Sequence, residues 1–427
     1  MSALLFILLF VFLFAGVPVY IAMAFSSAIF MDVTSVNIGV EMLAQRMFAG
    51  VNRYTMIAIP CFIFAANVMK EGGLSKKIID LANALFGHRR GGLGVATVIA
   101  CMFFGAVSGS SPGTVAAIGA IVYPAMLESG YKKSFSIGLI TASAACALII
   151  PPSIGMVVYG TVTGVSVGDM FIAGILPGIL FGLVFLAYTK YYARKDNMQP
   201  APKASRKERW IAFKKSVWAL GCPIIIIGGI YAGIFTPTES SAVAAAYSII
   251  VAMLVYREMD FKKLIHTAYQ SAVGVAQIMI LIAGATVMAW LLTRIQLPNK
   301  LGQLIIGLTD SKFVVLTLMN ILLLICGMFI DPTSTTLIFA PLFVPIANTL
   351  GIDLVHLGII MTVNAAIGMY TPPFGFNLFV ASGVTKLPIN KLMPGIIPFI
   401  LVSLVTLMVV TWVPELSTWL PSMIVGR

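Results

Sequence analysis

The chain has 427 residues, 59% hydrophobic and only 10% charged, with a mean hydropathy of +1.01. That balance excludes a soluble domain and predicts a polytopic membrane protein. A net charge of +12 would suggest a nucleic-acid partner in a soluble chain, but here it must first be set against topology. Five cysteines without a CxxC pair and three distant histidines give no disulfide framework and no transition-metal site, and read as core packing.

No Lys or Arg precedes Arg46, so the first apolar run lacks the basic flank of a cleavable signal and is expected to stay as a membrane helix. Residues 2–32 are broken at Gly16-Val17-Pro18 and form either one kinked helix or two short ones. Residues 33–53 are more polar and fit a surface segment. A helix at 54–70 precedes an amphipathic stretch at 71–91. Two segments at 92–104 and 115–127, each too short for a full crossing, flank the run GAVSGSSPGT at 105–114. Polar backbone at membrane depth survives only where protein buries it or where it lines a watered cavity. Ser110 and Ser111 can cap a helix starting at Pro112, leaving its positive dipole end pointing out of the turn. With Lys and Arg at both ends, the pair reads as a re-entrant helical hairpin.

Residues 134–166 are apolar but broken at Pro151-Pro152-Ser153, and 170–192 is a full helix. The basic stretch 193–216 reads as a linker. Helices are expected at 217–235, 239–256 and 269–292, with a short amphipathic piece at 297–309. A second polar tip at 330–336 joins two half-length segments. A second broken helix spans 356–385 around Thr371-Pro372-Pro373, and 393–415 closes the chain.

The halves 1–192 and 217–427 match at a nearly constant offset: Pro112 with Pro332, Pro151 with Pro372, Pro18 with Pro237. If the Gly16-Val17-Pro18 break divides two crossings, five crossings separate the two hairpins, and an odd number turns the second repeat upside down. The predicted fold is therefore all-α, with two inverted-topology repeats, each carrying a re-entrant hairpin and a broken transmembrane helix. With the N-terminus periplasmic and the linker 193–216 cytoplasmic, every Lys and Arg except Arg46, Arg53, Arg294, Lys300, Lys312 and Arg427 falls inside. The positive-inside rule thus explains the basic excess without nucleic acid.

The tip residues Ser110, Ser111 and Thr114, with Thr333, Ser334 and Thr335 in the second tip, are the candidate contacts to an anionic solute at the helix N-termini. A capped turn between packed helices is the plain alternative. Asp331 either caps its own helix or lies near a cation; it would repel an anion unless neutralised. Pro-Pro pairs free carbonyl oxygens, which suit Na⁺ as a hard cation, and each tip is expected to face one broken helix. Asn364, Gly368, Met369 and Asn377 lie near the second break. Thr236-Pro-Thr-Glu239 reads as a capping box. Arg294 ends a helix and either snorkels or attracts an anion or a partner. No phosphate-binding GxxxxGK[ST], HExxH or GxSxG occurs, so neither an ATPase nor an enzyme is expected.

Five ordered motifs — GAVSGSSPGTVAAIG, IIPPS, GIFTPTESSAV, FIDPTSTT and YTPPFGFNLF — resemble the large membrane (M) subunit of tripartite ATP-independent periplasmic (TRAP) transporters along essentially the whole chain. The resemblance implies a Na⁺-coupled importer in the bacterial inner membrane, working as an elevator of the ion-transporter superfamily. It implies a small four-helix membrane subunit (Q-type), a periplasmic substrate-binding protein (P-type), and no organic cofactor or ATP. It places Na⁺ at Ser108, Ser110, Pro151, Gly327, Gly368, Met369 and Thr371. The implied solutes are carboxylates, sialic acid slightly ahead of C4-dicarboxylates. The competing readings are a stand-alone Na⁺/dicarboxylate symporter needing no binding protein, a passive channel, and a non-transporting scaffold.

Overall fold

The computed structural model describes residues 2–34, 40–196, 198, 200, 202–297 and 311–425, and every regular element among them is a helix. Helices α1 (Ser2–Phe14) and α2 (Val19–Val33) are separate, because Gly16 takes φ +79° and Pro18 removes a backbone donor. Helix α3 (Val40–Val51) is bent by 60° from the span that follows, which enters through a 3₁₀ turn at Tyr54–Ile57 and continues as α4 (Ala58–Glu71). Residues 40–51 are thus a helix packed on the later helix Phe261–Arg294 rather than a segment lying free on the surface. Helix α5 (Leu74–Phe86) is amphipathic, burying Leu74, Ile78, Ile79 and Ala82.

Helices α6 (Gly92–Ser108) and α7 (Ser111–Glu128) are 17 and 18 residues long, about 26 Å each. They take in most of the expected tip, since only Gly109 and Ser110 stay outside the helices. Small polar residues do not themselves stop a helix; a left-handed glycine followed by an N-cap does so at one point. The first broken helix consists of α8 (Lys133–Ala144), α9 (Cys146–Ile149), a break at 150–153 and α10 (Ile154–Thr163), followed by α11 (Val167–Lys195).

Helix α12 (Arg206–Tyr231) begins inside the expected linker. Ser205 and Glu208 form a capping box, so only residues 196–205 connect the helices. Helix α13 (Pro237–Ile250) opens on the expected capping box, with Thr236 accepting from the Glu239 N–H and Glu239 accepting from the Thr236 N–H. It ends in a π turn at Val251–Val255, and α14 (Phe261–Arg294) is longer at both ends than 269–292. Apart from Leu297, the piece expected at 297–309 lies outside the described residues. Then come α15 (Lys312–Gly327), α16 (Pro332–Thr349), α17 (Leu354–Gly368), α18 (Phe376–Thr385), α19 (Ile389–Trp412) and α20 (Glu415–Val425). Among the described residues, six helices are long and apolar enough to cross a membrane: the run 133–163, α11, α12, α13 with its π turn, α14 and α19.

Packing is reciprocal between the halves. Helix α4 packs on α13 and α14 on α2, while α4 and α14 pack on each other. Helix α7 packs on α18 and α16 on α10. These partners sit in matching register: α7 and α16, both of 18 residues, start 221 positions apart, and α10 and α18, both of 10, start 222 apart. Where lipid surrounds a bundle, close approach of small residues replaces burial from water as the driving force. Gly138 and Gly395 do this between α8 and α19, where a Cβ on Gly395 would lie 1.9 Å from the Ser134 carbonyl oxygen.

Candidate solute and cation site

At the first tip, Gly109 adopts φ +55° and ends α6, and the Ser110 hydroxyl caps α7 by accepting from the Gly113 N–H at 3.3 Å. The helix starts at Ser111, one residue before Pro112. Three oxygens cluster there. The Thr114 hydroxyl donates to the Ser110 carbonyl at 2.8 Å, and Ser108 Oγ lies 3.0 Å from Thr114 Oγ1. Ser108 is buried, and Ser111 and Thr114 are fully so. The tip lies against the first break, since a Cβ on Gly109 would stand 2.8 Å from the Pro152 carbonyl oxygen. It also touches the second: the Asn377 amide donates to Ser111 Oγ at 2.7 Å and to the Thr141 carbonyl at 3.2 Å. The first hairpin therefore meets both broken helices rather than one.

The second tip is capped by charge. Asp331 Oδ1 accepts from the N–H groups of Thr333 (2.9 Å) and Ser334 (3.0 Å), and Oδ2 accepts from the Ser334 hydroxyl. Asp331 is exposed within the chain, and its bonds are those of a helix cap at a favourable dipole end. Ser334 is occupied by that cap. Thr335 is buried with its hydroxyl unpartnered.

The breaks supply oxygen. Pro151 and Pro152 have no N–H, so the carbonyls of Ala147 and Leu148 lose their donors four residues on. At the second break, Gly368 O accepts from Thr371 N, Met369 O from Asn377 N and Thr371 O from Gly375 N. Each carbonyl keeps a second lone pair. Gly327 and Gly368 touch backbone to backbone, a Cβ on Gly368 falling 2.7 Å from the Gly327 carbonyl oxygen.

Buried polar atoms without a partner cost about 1–3 kcal/mol each, so each calls for an explanation. Ten side-chain atoms among the described residues are in that state; five of them, Ser143 Oγ, Ser153 Oγ, Thr335 Oγ1, Asn364 Oδ1 and Asn377 Oδ1, lie on the tips or broken helices, and the other five are on Ser75, His88, Arg209 and Tyr231. Hydroxyl, amide and carbonyl oxygens with unused lone pairs are the donor set a hard cation takes. The geometry thus brings Ser108, Ser110 and Thr114 together beside Pro152, and Gly327, Gly368, Met369 and Thr371 together at the second break. Thr333 stands apart, half-exposed, contributing only its N–H to the cap.

A buried polar chain escaped the sequence reading. Asn364 donates to Asn320 Oδ1 at 2.7 Å, and Asn320 donates to Thr411 Oγ1 at 2.9 Å. His356 Nδ1 lies 2.6 Å from Ser417 Oγ, and its Nε2 lies 3.2 Å from the Thr411 carbonyl. The available signal was two asparagines and one histidine in two largely apolar helices, Asn320 in Lys312–Gly327 and His356 with Asn364 in Leu354–Gly368.

A family model described as "Tripartite ATP-independent periplasmic transporter, DctM component" matches residues 6–416. The chain is 44% identical to the C4-dicarboxylate TRAP transporter large permease protein DctM of Pseudomonas aeruginosa, over 90% of each chain. It is 40% identical to the protein of the same name from Rhodobacter capsulatus, over 99% of this chain and all of the other. Among solved structures, the YdaH transporter of Alcanivorax borkumensis shares the fold at TM-score 0.65 and 15% identity, covering 89% of this chain and 88% of its own. A multi-pass membrane chain of this length, matched end to end, belongs to the DctM family of large permease components of TRAP transporters.

Proposed function

We propose that this permease imports an anionic carboxylate by Na⁺ symport, in the bacterial inner membrane, together with a small membrane subunit and a periplasmic binding protein that delivers the solute. The observation carrying this reading is that five of the ten unpartnered buried polar atoms among the described residues lie on the hairpin tips and broken helices. Na⁺ fits those oxygens, with Ser108, Ser110, Thr114 and Pro151 as donors on one side and Gly327, Gly368, Met369 and Thr371 on the other. The solute's carboxylate faces the N-terminus of α7 at Ser111, where no acidic side chain competes. Thr335 is the second tip's contact. Reciprocal packing at a constant offset supports two inverted repeats, 1–192 and 217–427, moving as an elevator. Each Na⁺ entering down 100 mV contributes about 2.3 kcal/mol to accumulation. The relatives' names move the preferred solute from sialic acid to a C4-dicarboxylate.

Uptake of radiolabelled succinate and sialic acid into proteoliposomes tests this. The liposomes hold this chain and its small partner, with an inward Na⁺ gradient or K⁺, and with or without the binding protein. Succinate uptake requiring both Na⁺ and the binding protein is expected. Uptake of sialic acid alone corrects the solute. Uptake without the binding protein identifies a stand-alone symporter, and Na⁺-independent uptake overturns the coupling.

A further inference from the structure

A cavity of about 400 Å³ lies between α3, the end of α10, the end of α14 and the middle of α16. Among the described residues its only charged lining groups are Arg46 and Arg53, and no carboxylate lines it. Arg53 donates from Nη1 to the Thr161 carbonyl at 2.6 Å, leaving its other N–H groups available. The Arg46 guanidinium stacks over Trp290, 5.2 Å from the ring centroid. Neither arginine is in an ion pair among the described residues. Thr163, Thr286 and Thr293 add hydroxyls to the lining. Two guanidinium groups sharing one partly enclosed space repel each other until an anion enters, and their planar forks match a carboxylate.

Position adds to chemistry. Helix α14 starts beside Glu71, whose carbonyl accepts from Lys263 at 2.6 Å, and reaches the cavity at Trp290, about 40 Å along the helix. The cavity is therefore at the end of the bundle away from the clustered lysines, the outward end when those lysines are cytoplasmic. Leu337, two residues beyond Thr335 on the same helix, lines it, so the helix that begins at the second tip forms one wall of the cavity.

We infer that this cavity is an outward vestibule where Arg46 and Arg53 hold a carboxylate-bearing solute before it reaches the tips, an anion site separate from them. The inference rests on the proposed import of an anionic solute. An anionic phospholipid headgroup carries related chemistry, and the test separates the two.

The experiment titrates the purified full-length protein in detergent with succinate, and in parallel with sialic acid, at constant ionic strength, reading tryptophan emission. A saturable change is expected in wild type and absent in W290F. Apparent affinity should fall about tenfold or more in R46Q and in R53Q, the loss of a charge-assisted hydrogen-bonded contact. R46K and R53K should retain part of it, which guards against misfolding as the cause. Three results would overturn the inference: a flat wild-type response to both acids, an unchanged response in the R46Q/R53Q double variant, or a response to phosphatidylglycerol that neither acid displaces. Failure of the transport reading shows separately, as absent uptake with the Trp290 response intact.

Discussion

The two hairpin tips solve one geometric problem with different chemistry. Both begin an 18-residue helix with a proline in its first turn, and both lie beside a Pro-Pro break. The first is capped by the neutral Ser110 through one 3.3 Å bond and keeps a buried cluster of hydroxyls and a free dipole end. The second is capped by Asp331, whose carboxylate takes three hydrogen bonds and neutralises the dipole end itself. Equal helix geometry therefore does not mean equal ligand preference. The first tip is free to face an anion, whereas the second offers Thr335 and carbonyls beside a negative cap.

The largest effects should come from the glycines that let tips and breaks touch. A Cβ at Gly109 meets the Pro152 carbonyl at 2.8 Å from a left-handed backbone, and one at Gly368 meets the Gly327 carbonyl at 2.7 Å. We expect G109A and G368A each to lower Na⁺-driven uptake about tenfold or more, with overpacking costs of about 1–3 kcal/mol in detergent unfolding. If either variant transports normally, that junction is not a close contact during the cycle.

Caps come next. D331A should destabilise by about 1–2 kcal/mol and S110A by about 0.5–1 kcal/mol, because one loses three bonds and the other a single long one. D331N keeps an acceptor, so normal Na⁺ affinity in D331N assigns Asp331 to capping. A weakened Na⁺ affinity there would make the carboxylate part of the cation site and reverse the contrast between the tips.

Asn377 tests the crossing between halves. N377A removes the bonds to Ser111 and Thr141 and should raise the succinate KM several-fold, while the corresponding loss in N364A, whose amide holds Asn320, should appear in stability. Equal KM effects would argue that both asparagines serve the solute.

The smallest effect is expected at the base of the first hairpin. Lys132 donates to Asp196 and holds its carboxyl below the usual value of 3.8. A lowered folded-state pKa means the contact is fully present above about pH 4 and lost only as pH falls below that. D196N should therefore leave the pH profile of uptake between 5 and 8 unchanged, since the pair is exposed and screened.

Much of this was legible in the chain. Prolines and hydroxyls at matching offsets marked tips and breaks, because backbone interruption in a membrane helix needs such residues. The extent of α6 and α7 was not, since small residues tolerate helix as readily as loop. Nor was the start of α12, although Ser205 and Glu208 carried the capping pattern beneath the run of basic charge. The chain from Asn364 through Asn320, Thr411 and His356 to Ser417, and the Arg46–Arg53 cavity, join residues far apart in sequence. Only tertiary packing brings them together.

The account turns on Na⁺ occupying the junctions of tips and breaks. Its most direct measurement is thermal unfolding of the purified chain against Na⁺ or K⁺ at equal ionic strength, which needs neither solute nor partners. A saturable stabilisation by Na⁺ alone is predicted, about 2.7 kcal/mol at a concentration 100 times Kd, and reduced in S108A/T114A. Equal stabilisation by K⁺, or a Na⁺ effect unchanged by variants at both junctions, would contradict it.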